Sequence, residues 1–162
     1  MRTLTYAHLS DVAKQQICAW KYDGDHAIYN LPSYADMQAQ HRGFMNPETE
    51  QDYYGFWDED ALVGYIKLTE MGTAVAIGIG VKPELCNKGY GQLIIGIAAA
   101  ISGQLYPGKP LCLEVRTWNT RAIRCYEKAG FRIDGPAYEL ATGIGIGMFY
   151  RMTNDWSTDY AD

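Results

Sequence analysis

The chain has 162 residues, of which 48% are hydrophobic and 20% are charged, an ordinary composition for a soluble globular protein. That length predicts one domain over 1–162, with a frayed polar tail at 155–162. A net charge of −5 without a basic cluster argues against nucleic acid as a partner, and no apolar run approaches the roughly 20 residues that span a membrane.

The amino terminus shows no apolar segment of a secretory signal, so we expect a cytoplasmic protein. The four cysteines, Cys18, Cys86, Cys112 and Cys125, match no zinc or CxxC spacing and are interpreted as free thiols. The three histidines are too scattered along the chain to indicate a metal site, and we expect none.

The first third of the chain predicts one strand and two helices. Residues 2–8 are typical of a strand, and Ser10 is a suitable N-cap for the helix that follows. An ordered loop over 20–32 precedes a second helix, which is expected from Ser33 to about Arg42.

The next segments predict strands, of which the third is the most informative. Two strands, 53–57 and 61–69, are joined by a turn, and the run Val75–Val81 is continuously apolar. Such a run is typical of a strand buried on both faces. Its glycines, Gly78 and Gly80, are consistent with either a bulge or close packing.

The turn after this strand predicts an anion site. It contains Gly89 and Gly91 and leads at once into a helix with one apolar face. Glycines let a ligand approach the backbone closely, and the first N–H groups of a helix lack internal partners. The helix dipole and Lys88 add positive charge, which favours phosphate. The alternative is that both glycines only permit tight packing between helix and strand.

A second strand and helix follow. Leu111–Arg116 predicts the strand, Asn119 is an N-cap, and Gly130 closes a short helix. Asn119, Ile123 and Tyr126 are spaced i, i+4 and i+7, so they share one helix face.

The last predicted elements are strands over 131–140 and 146–153. Between them, Gly143–Gly147 resembles a dinucleotide-binding fingerprint. That motif requires a helix after it, whereas a strand pattern follows here, so we interpret the segment as a glycine-rich hairpin connection.

Two motifs in the chain together resemble a known family. The first is Val81-Lys82-Pro83-Glu84 followed by Lys88-Gly89-Tyr90-Gly91, and the second is Leu113-Glu114-Val115-Arg116 followed by Asn119, Ala122-Ile123, Tyr126, Lys128 and Gly130-Phe131. In order and separation they are similar to the GNAT superfamily of acyl-CoA-dependent N-acetyltransferases, over roughly residues 55–152. The chain departs from the family at Cys86, where Gln or Arg is usual.

The resemblance implies an α+β fold of three layers, in which helices flank a central mixed, mostly antiparallel sheet. Two splayed central strands would form the cleft for CoA. It also implies acetyl-CoA as co-substrate, with CoA as product. The implied cofactor contacts are Ile79, Gly80 and Val81 at the pantetheine arm, Lys88, Gly89, Tyr90, Gly91 and Gln92 at the pyrophosphate, and Asn119 near the pantetheine arm.

The implied reaction is direct attack of a primary amine on the acetyl group. Tyr126 matches the family tyrosine that gives a proton to the departing thiolate, although it could also serve only to pack. The carboxylate that many members place on the central strand is missing from 74–77. Glu114 is the first candidate for the base and Glu70 the second. Glu114 could instead pair with Arg116, and a water chain or no dedicated base is equally consistent.

The expected acceptor is a small-molecule amine. Aromatic residues, with Asp23, Asp25 and His26, would suit a cationic amine, although most should fill the core: Trp20, Tyr22, Tyr29, Tyr34, Phe44, Tyr53, Tyr54, Phe56 and Trp57. A protein or peptide N-terminal α-amine is an alternative, because Leu113–Arg116 resembles ribosomal-protein alanine acetyltransferases. A non-catalytic acyl-CoA-binding sensor is another. No nucleic acid or membrane partner is expected, and a homodimer is possible.

Overall fold

The structure, a computed structural model, describes residues 3–155. These residues contain four α-helices and eight strands. The helices are α1 (Asp11–Ala19), α2 (Tyr34–Gln40), α3 (Tyr90–Leu105) and α4 (Thr120–Lys128). The strands are β1 (Thr5–His8), β2 (Tyr53–Asp58), β3 (Ala61–Glu70), β4 (Val75–Val81), β5 (Leu111–Arg116), β6 (Arg132–Ile133), β7 (Tyr138–Thr142) and β8 (Gly145–Thr153). An open mixed sheet flanked by helices confirms the expected α+β fold.

The chain divides into two compact units. The first takes in the described residues up to 67 together with 79–94, and its strands follow the order β1–β2–β3–β4. The second takes in 68–78 and the described residues from 95 onward, in the order β3–β4–β5–β8–β6 with β7 also paired to β8. The single domain over 1–162 stays a prediction. The predicted tail, apart from Asp155, lies outside the described residues.

The core of the first unit is built from α1, α2, β2 and β3. Its buried members are Ala13, Ile17, Cys18, Trp20, Met37, Phe44, Tyr53 and Leu62. Three aromatics of the candidate acceptor set, Trp20, Phe44 and Tyr53, therefore belong to this core, and a fourth, Phe56, is also fully buried. Ser10 caps α1 as predicted, because its side-chain oxygen accepts a hydrogen bond from the N–H of Ala13 at 3.2 Å. The loop predicted over 20–32 contains a 3-10 turn, Gly24–Tyr29.

A buried lysine ties α1 to the segment before β2. Lys14 is only 4% exposed, and its Nζ lies 2.8 Å from Oε2 of Glu50. The hydrogen bond from Lys14 and its charge lower the pKa of Glu50. A carboxylate whose pKa is lower in the folded chain stabilises the fold above its unfolded pKa, and this stabilisation is lost as the pH falls through the folded pKa.

We therefore expect Glu50→Gln to lower the urea midpoint at pH 7, because a buried ammonium loses its partner. The difference from the wild type should shrink as the pH falls to about 3, below the ordinary pKa of Glu. Glu48→Gln, an exposed neighbour, is the control. Urea unfolding at both pH values checks this. If the urea midpoints of Glu50→Gln and the wild type differed equally at both pH values, the assigned ion pair would be contradicted.

The second unit contains the parallel part of the sheet. β4 pairs with β5 in register at two positions, Val75 with Leu111 and Ala76 with Cys112. β5 then pairs along its length with β8, antiparallel, so that Leu113 lies opposite Met152. Among the described residues of these strands, the parallel register is thus confined to their first residues. No helix in the described part of the chain is long and apolar enough to cross a membrane.

The prediction of one continuous strand over 131–140 is wrong. The segment is divided into β6 and β7, because Gly135 has a φ of 87° and Pro136 lacks a donor for the ladder. The hairpin prediction for Gly143–Gly147 is confirmed, since β7 and β8 pair antiparallel up to Thr142 and Gly145.

Candidate active site

The turn between β4 and α3 has the conformation that an anion site needs. Asn87 and Gly89 have positive φ angles of 66° and 88°, and α3 begins directly afterwards at Tyr90. The N–H of Leu93 donates to the carbonyl of Gly89 at 3.4 Å, so the helical pattern starts there. The N–H group of Gly91 precedes that pattern, at the positive end of the dipole, and the first turn carries no acidic residue.

The space around Gly89 in this turn is open. A Cβ built on Gly89 meets no atom within 4 Å, and Gly89 and Lys88 are exposed. Glycine is therefore required by its φ and not by crowding, which argues against the packing interpretation for this residue. Gln92, half-buried, follows in the first turn of α3. A ligand can therefore approach Gly89 closely, and the pyrophosphate contacts stay a prediction.

The side chain of Tyr90 has a structural partner that the sequence did not predict. Tyr90 is 8% exposed, and its hydroxyl donates to Oδ2 of Asp58 at 2.7 Å. This contact holds the first residue of α3 against the end of β2. Any contact of Tyr90 with a ligand in this conformation is therefore assigned to its main chain.

Tyr90→Phe should lower the free energy of unfolding by about 1–2 kcal/mol, because a hydrogen bond to a carboxylate is lost. Urea unfolding measures this, with Tyr106→Phe, a half-buried tyrosine, as the control. An unchanged free energy of unfolding would show that the Asp58 contact does not anchor α3.

The end of β4 presents backbone groups away from β3. The N–H of Lys82 donates to the carbonyl of Val63 on β3 at 2.9 Å. Because successive N–H groups of a strand point to opposite edges, those of Val81 and Ile79 point away from β3. Both are residues at which the resemblance implies pantetheine contacts, and those contacts stay a prediction.

Gly80 is explained by packing. A Cβ at Gly80 would overlap the ring of Tyr65, and one at Gly64 would lie 2.8 Å from the carbonyl oxygen of Gly80. Close approach within the sheet thus accounts for this glycine, and a bulge at Gly78 or Gly80 stays a prediction.

Cys86, the departure from the family pattern, is held within its own turn. Its N–H donates to the carbonyl of Pro83 at 3.3 Å, and its Sγ lies 3.7 Å from the carbonyl oxygen of Lys82. The amide of Cys86 is therefore engaged in the 3-10 turn Pro83–Leu85.

In the second unit, Asn119 is the predicted N-cap of α4. Its Oδ1 accepts a hydrogen bond from the N–H of Ala122 at 3.2 Å, and the residue is 7% exposed. Tyr126 lies on α4 with a half-buried side chain, and its ring centroid is 6.2 Å from that of Phe131. The capping role is confirmed, whereas the roles of Asn119 and Tyr126 toward a cofactor stay predictions.

Of the two base candidates, Glu114 is the better placed. It is exposed on β5, and its Oε2 accepts a hydrogen bond from the Tyr138 hydroxyl at 2.7 Å. Burial, followed by the hydrogen bond to Glu114, raises the pKa of Tyr138 to about 12, so this phenol stays a donor at neutral pH. Arg116, the partner considered from sequence, is instead buried with its guanidinium 4.8 Å from the Phe149 ring centroid.

Glu70 is poorly suited to accept a proton. Its carboxylate lies 2.5 Å from the Nζ of Lys109. The hydrogen bond from Lys109, its charge and the N–H of Gly72 all lower the pKa of Glu70. A base of lowered pKa is weaker at neutral pH, which leaves Glu114 as the stronger candidate.

One contact near the predicted acyl site was missed by sequence reasoning. The hydroxyl of Tyr22, in the loop after α1, donates to the carbonyl of Val81 at 2.7 Å. The two residues are 59 positions apart, so no local pattern could have joined them. Tyr22 also lines a small cavity with other side chains of the first unit: Ile17, Trp20, Tyr29, Leu31 and Tyr65.

A family model agrees with the two motifs. The model described as the acetyltransferase (GNAT) family matches residues 13–131, well over half of the chain. An uncharacterized protein of Mycobacterium leprae is 33% identical over 108 residues, which make up 61% of this chain and 28% of that protein. The chain therefore spans less than a third of this curated relative.

Solved structures share the fold. An acetyltransferase (GNAT family) from Bacillus anthracis has 19% identity and a TM-score of 0.77, with 94% of both chains covered. A chimeric spermidine N-acetyltransferase from Vibrio cholerae and hSSAT has 20% identity and a TM-score of 0.72, with 96% of both covered. The ribosomal-protein alanine N-acetyltransferase of Escherichia coli has 17% identity and a TM-score of 0.63, covering 93% of this chain and 92% of that one. At these identities the likeness concerns the fold alone.

Proposed function

The chain belongs to the GNAT acetyltransferase family, and we propose on that premise that it transfers an acetyl group from acetyl-CoA to the primary amine of a small molecule. The observation that carries this proposal is the open turn at Gly89, where a positive φ and empty space leave the main chain free to meet a phosphate. Acetyl-CoA supplies a thioester, an acyl group already activated for attack by an amine.

We assign the binding of acetyl-CoA to two stretches and one further side chain. The pyrophosphate would be held by Lys88, Gly89, Tyr90, Gly91 and Gln92, and the pantetheine arm by Ile79, Gly80, Val81 and Asn119. For Ile79 the direction of its N–H group, away from β3, supports the assignment. For Tyr90 the assignment is limited to the main chain, because its hydroxyl is bonded to Asp58.

We assign three roles in the transfer. The N–H of Val81 donates to the acyl oxygen, where negative charge develops. Glu114 takes a proton from the acceptor amine, directly or through water, because an amine with a pKa of about 8 to 10.4 is largely protonated at neutral pH. Tyr126 gives a proton to the departing sulfur. Attack is direct, since Cys125 has no histidine with a motif-based claim to activate it.

A protein or peptide N-terminal α-amine is the second candidate acceptor. It is supported by the strand Leu113–Arg116, on which Glu114 is exposed to solvent. A non-catalytic acyl-CoA-binding sensor is the third possibility, because residues 74–77 lack the carboxylate that many family members carry.

The decisive experiment measures CoA release from acetyl-CoA with polyamines, amino acids, aminoglycosides and short peptides that have free N-termini. Turnover with one class of small amine would support the proposal and narrow the acceptor, and turnover confined to peptides would favour the second candidate. Acetyl-CoA binding without any turnover would favour the sensor. If acetyl-CoA did not bind, the proposed function would be wrong.

A further inference from the structure

Tyr22 connects the loop after α1 with the carboxyl end of β4. Its hydroxyl donates to the carbonyl oxygen of Val81 at 2.7 Å, and its own N–H donates to Oδ1 of Asn30 at 2.7 Å. The first contact reaches across 59 positions of sequence, and the second closes the loop on itself. The phenol is thus held by the loop while it bonds to the strand.

The contact fixes one peptide group from both sides. The peptide that joins Val81 to Lys82 accepts from Tyr22 through its carbonyl and donates to Val63 through its N–H, at 2.9 Å. Within a strand, the N–H and the carbonyl of one residue point to the same edge. The carbonyl that Tyr22 holds and the N–H assigned to the acyl oxygen therefore belong to the same residue and the same edge of β4.

We propose that Tyr22 is a positioning residue for acyl transfer, which sets the direction of the Val81 N–H by holding the Val81 carbonyl. This inference rests on the proposed function. A donor stabilises developing charge only within a narrow range of distance and direction. The Val81 N–H belongs to the preceding peptide group, so a change in the backbone torsions at Val81, which the bond to its carbonyl restrains, turns this donor and lowers the rate of the chemical step. Acetyl-CoA affinity depends chiefly on the turn at Gly89 and should change little.

The surroundings of Tyr22 allow its hydroxyl to be removed without removing the ring. The ring lines the small cavity beside Trp20 and Tyr65, and the bond from its main-chain N–H to Asn30 does not involve the hydroxyl. Tyr22→Phe therefore keeps the ring and the main-chain bond to Asn30 and deletes the hydroxyl bond to Val81. Tyr6→Phe, at an exposed tyrosine of β1, is the matched control.

The test compares both variants with the wild type by steady-state kinetics and by NMR of protein with ¹³C-labelled valine carbonyls. We expect Tyr22→Phe to lower kcat about tenfold, with KM for acetyl-CoA changed less than about threefold. The carbonyl resonance of Val81 should shift as the bond from Tyr22 is lost, already in the protein without acetyl-CoA, while the Sγ of Cys86 stays 3.9 Å from the same oxygen. Tyr6→Phe should change neither the kinetic constants nor the Val81 carbonyl resonance.

The outcomes separate this inference from the proposed function. A shifted Val81 carbonyl with unchanged kcat would show a bond without a positioning role, and would overturn the inference alone. An unshifted carbonyl would show that the bond is absent in solution, with the same consequence. A wild type that acetylates none of the amines would overturn the proposed function, and this inference with it.

Discussion

Gly89→Glu is expected to weaken acetyl-CoA binding by about 100-fold or more, as measured by isothermal titration calorimetry. A Cβ at this position meets no atom within 4 Å, so a side chain can leave the main chain here without a clash at its first atom. It would stand where the pyrophosphate is assigned, at the start of α3. The anion that the dipole and Lys88 favour would then meet a fixed negative charge, and like charges brought together cost several kcal/mol.

Two further variants separate this repulsion from other effects of the substitution. Gly89→Ala carries the same backbone strain, because the φ of 88° is rarely adopted by residues with a Cβ, but it adds no charge. It should lower the free energy of unfolding by about 1 kcal/mol and weaken binding far less than Gly89→Glu. Gly96→Glu places the same charge at an exposed, uncrowded position of α3. Equal affinities in Gly89→Glu and Gly96→Glu would remove the phosphate assignment.

The parts of the fold that could be predicted are those whose physical signal is local. The apolar run of β4 ends at Val81 as expected, and Ser10 and Asn119 cap their helices because their side chains need only the next turn for a partner. The strand over 131–140 was predicted as continuous because apolar and β-forming residues flank its centre. Gly135 and Pro136 nevertheless interrupt the ladder there.

The parts of the candidate site that could not be predicted depend on contacts between distant residues. The hydroxyl of Tyr90 bonds to Asp58, 32 positions away, and that of Tyr22 bonds to the Val81 carbonyl. A tyrosine in a loop gives no sequence signal for the strand it will reach. Glu114 likewise accepts a hydrogen bond from the hydroxyl of Tyr138, within the second unit. The sequence had instead suggested Arg116 as its partner.

Tyr126→Phe is expected to lower kcat by about 100-fold or more, the lower end of what a general acid contributes, with KM for acetyl-CoA within about threefold of the wild type. The substitution keeps the ring, which packs on α4 with its centroid 6.2 Å from that of Phe131. Only the hydroxyl, the group assigned to protonate the departing sulfur, is removed. Steady-state kinetics with a saturating acceptor measures both constants.

The pattern of the two constants distinguishes the acid from a packing residue. A proton donor acts in the transition state, so its loss lowers kcat and kcat/KM together. A residue that only packs against the cofactor contributes to binding before and during the reaction, so its loss raises KM and leaves kcat nearly unchanged. Tyr106→Phe, a tyrosine that follows α3, should alter neither constant. If Tyr126→Phe raised KM alone, the sulfur would leave without help from this phenol, and the proton would have to come from solvent.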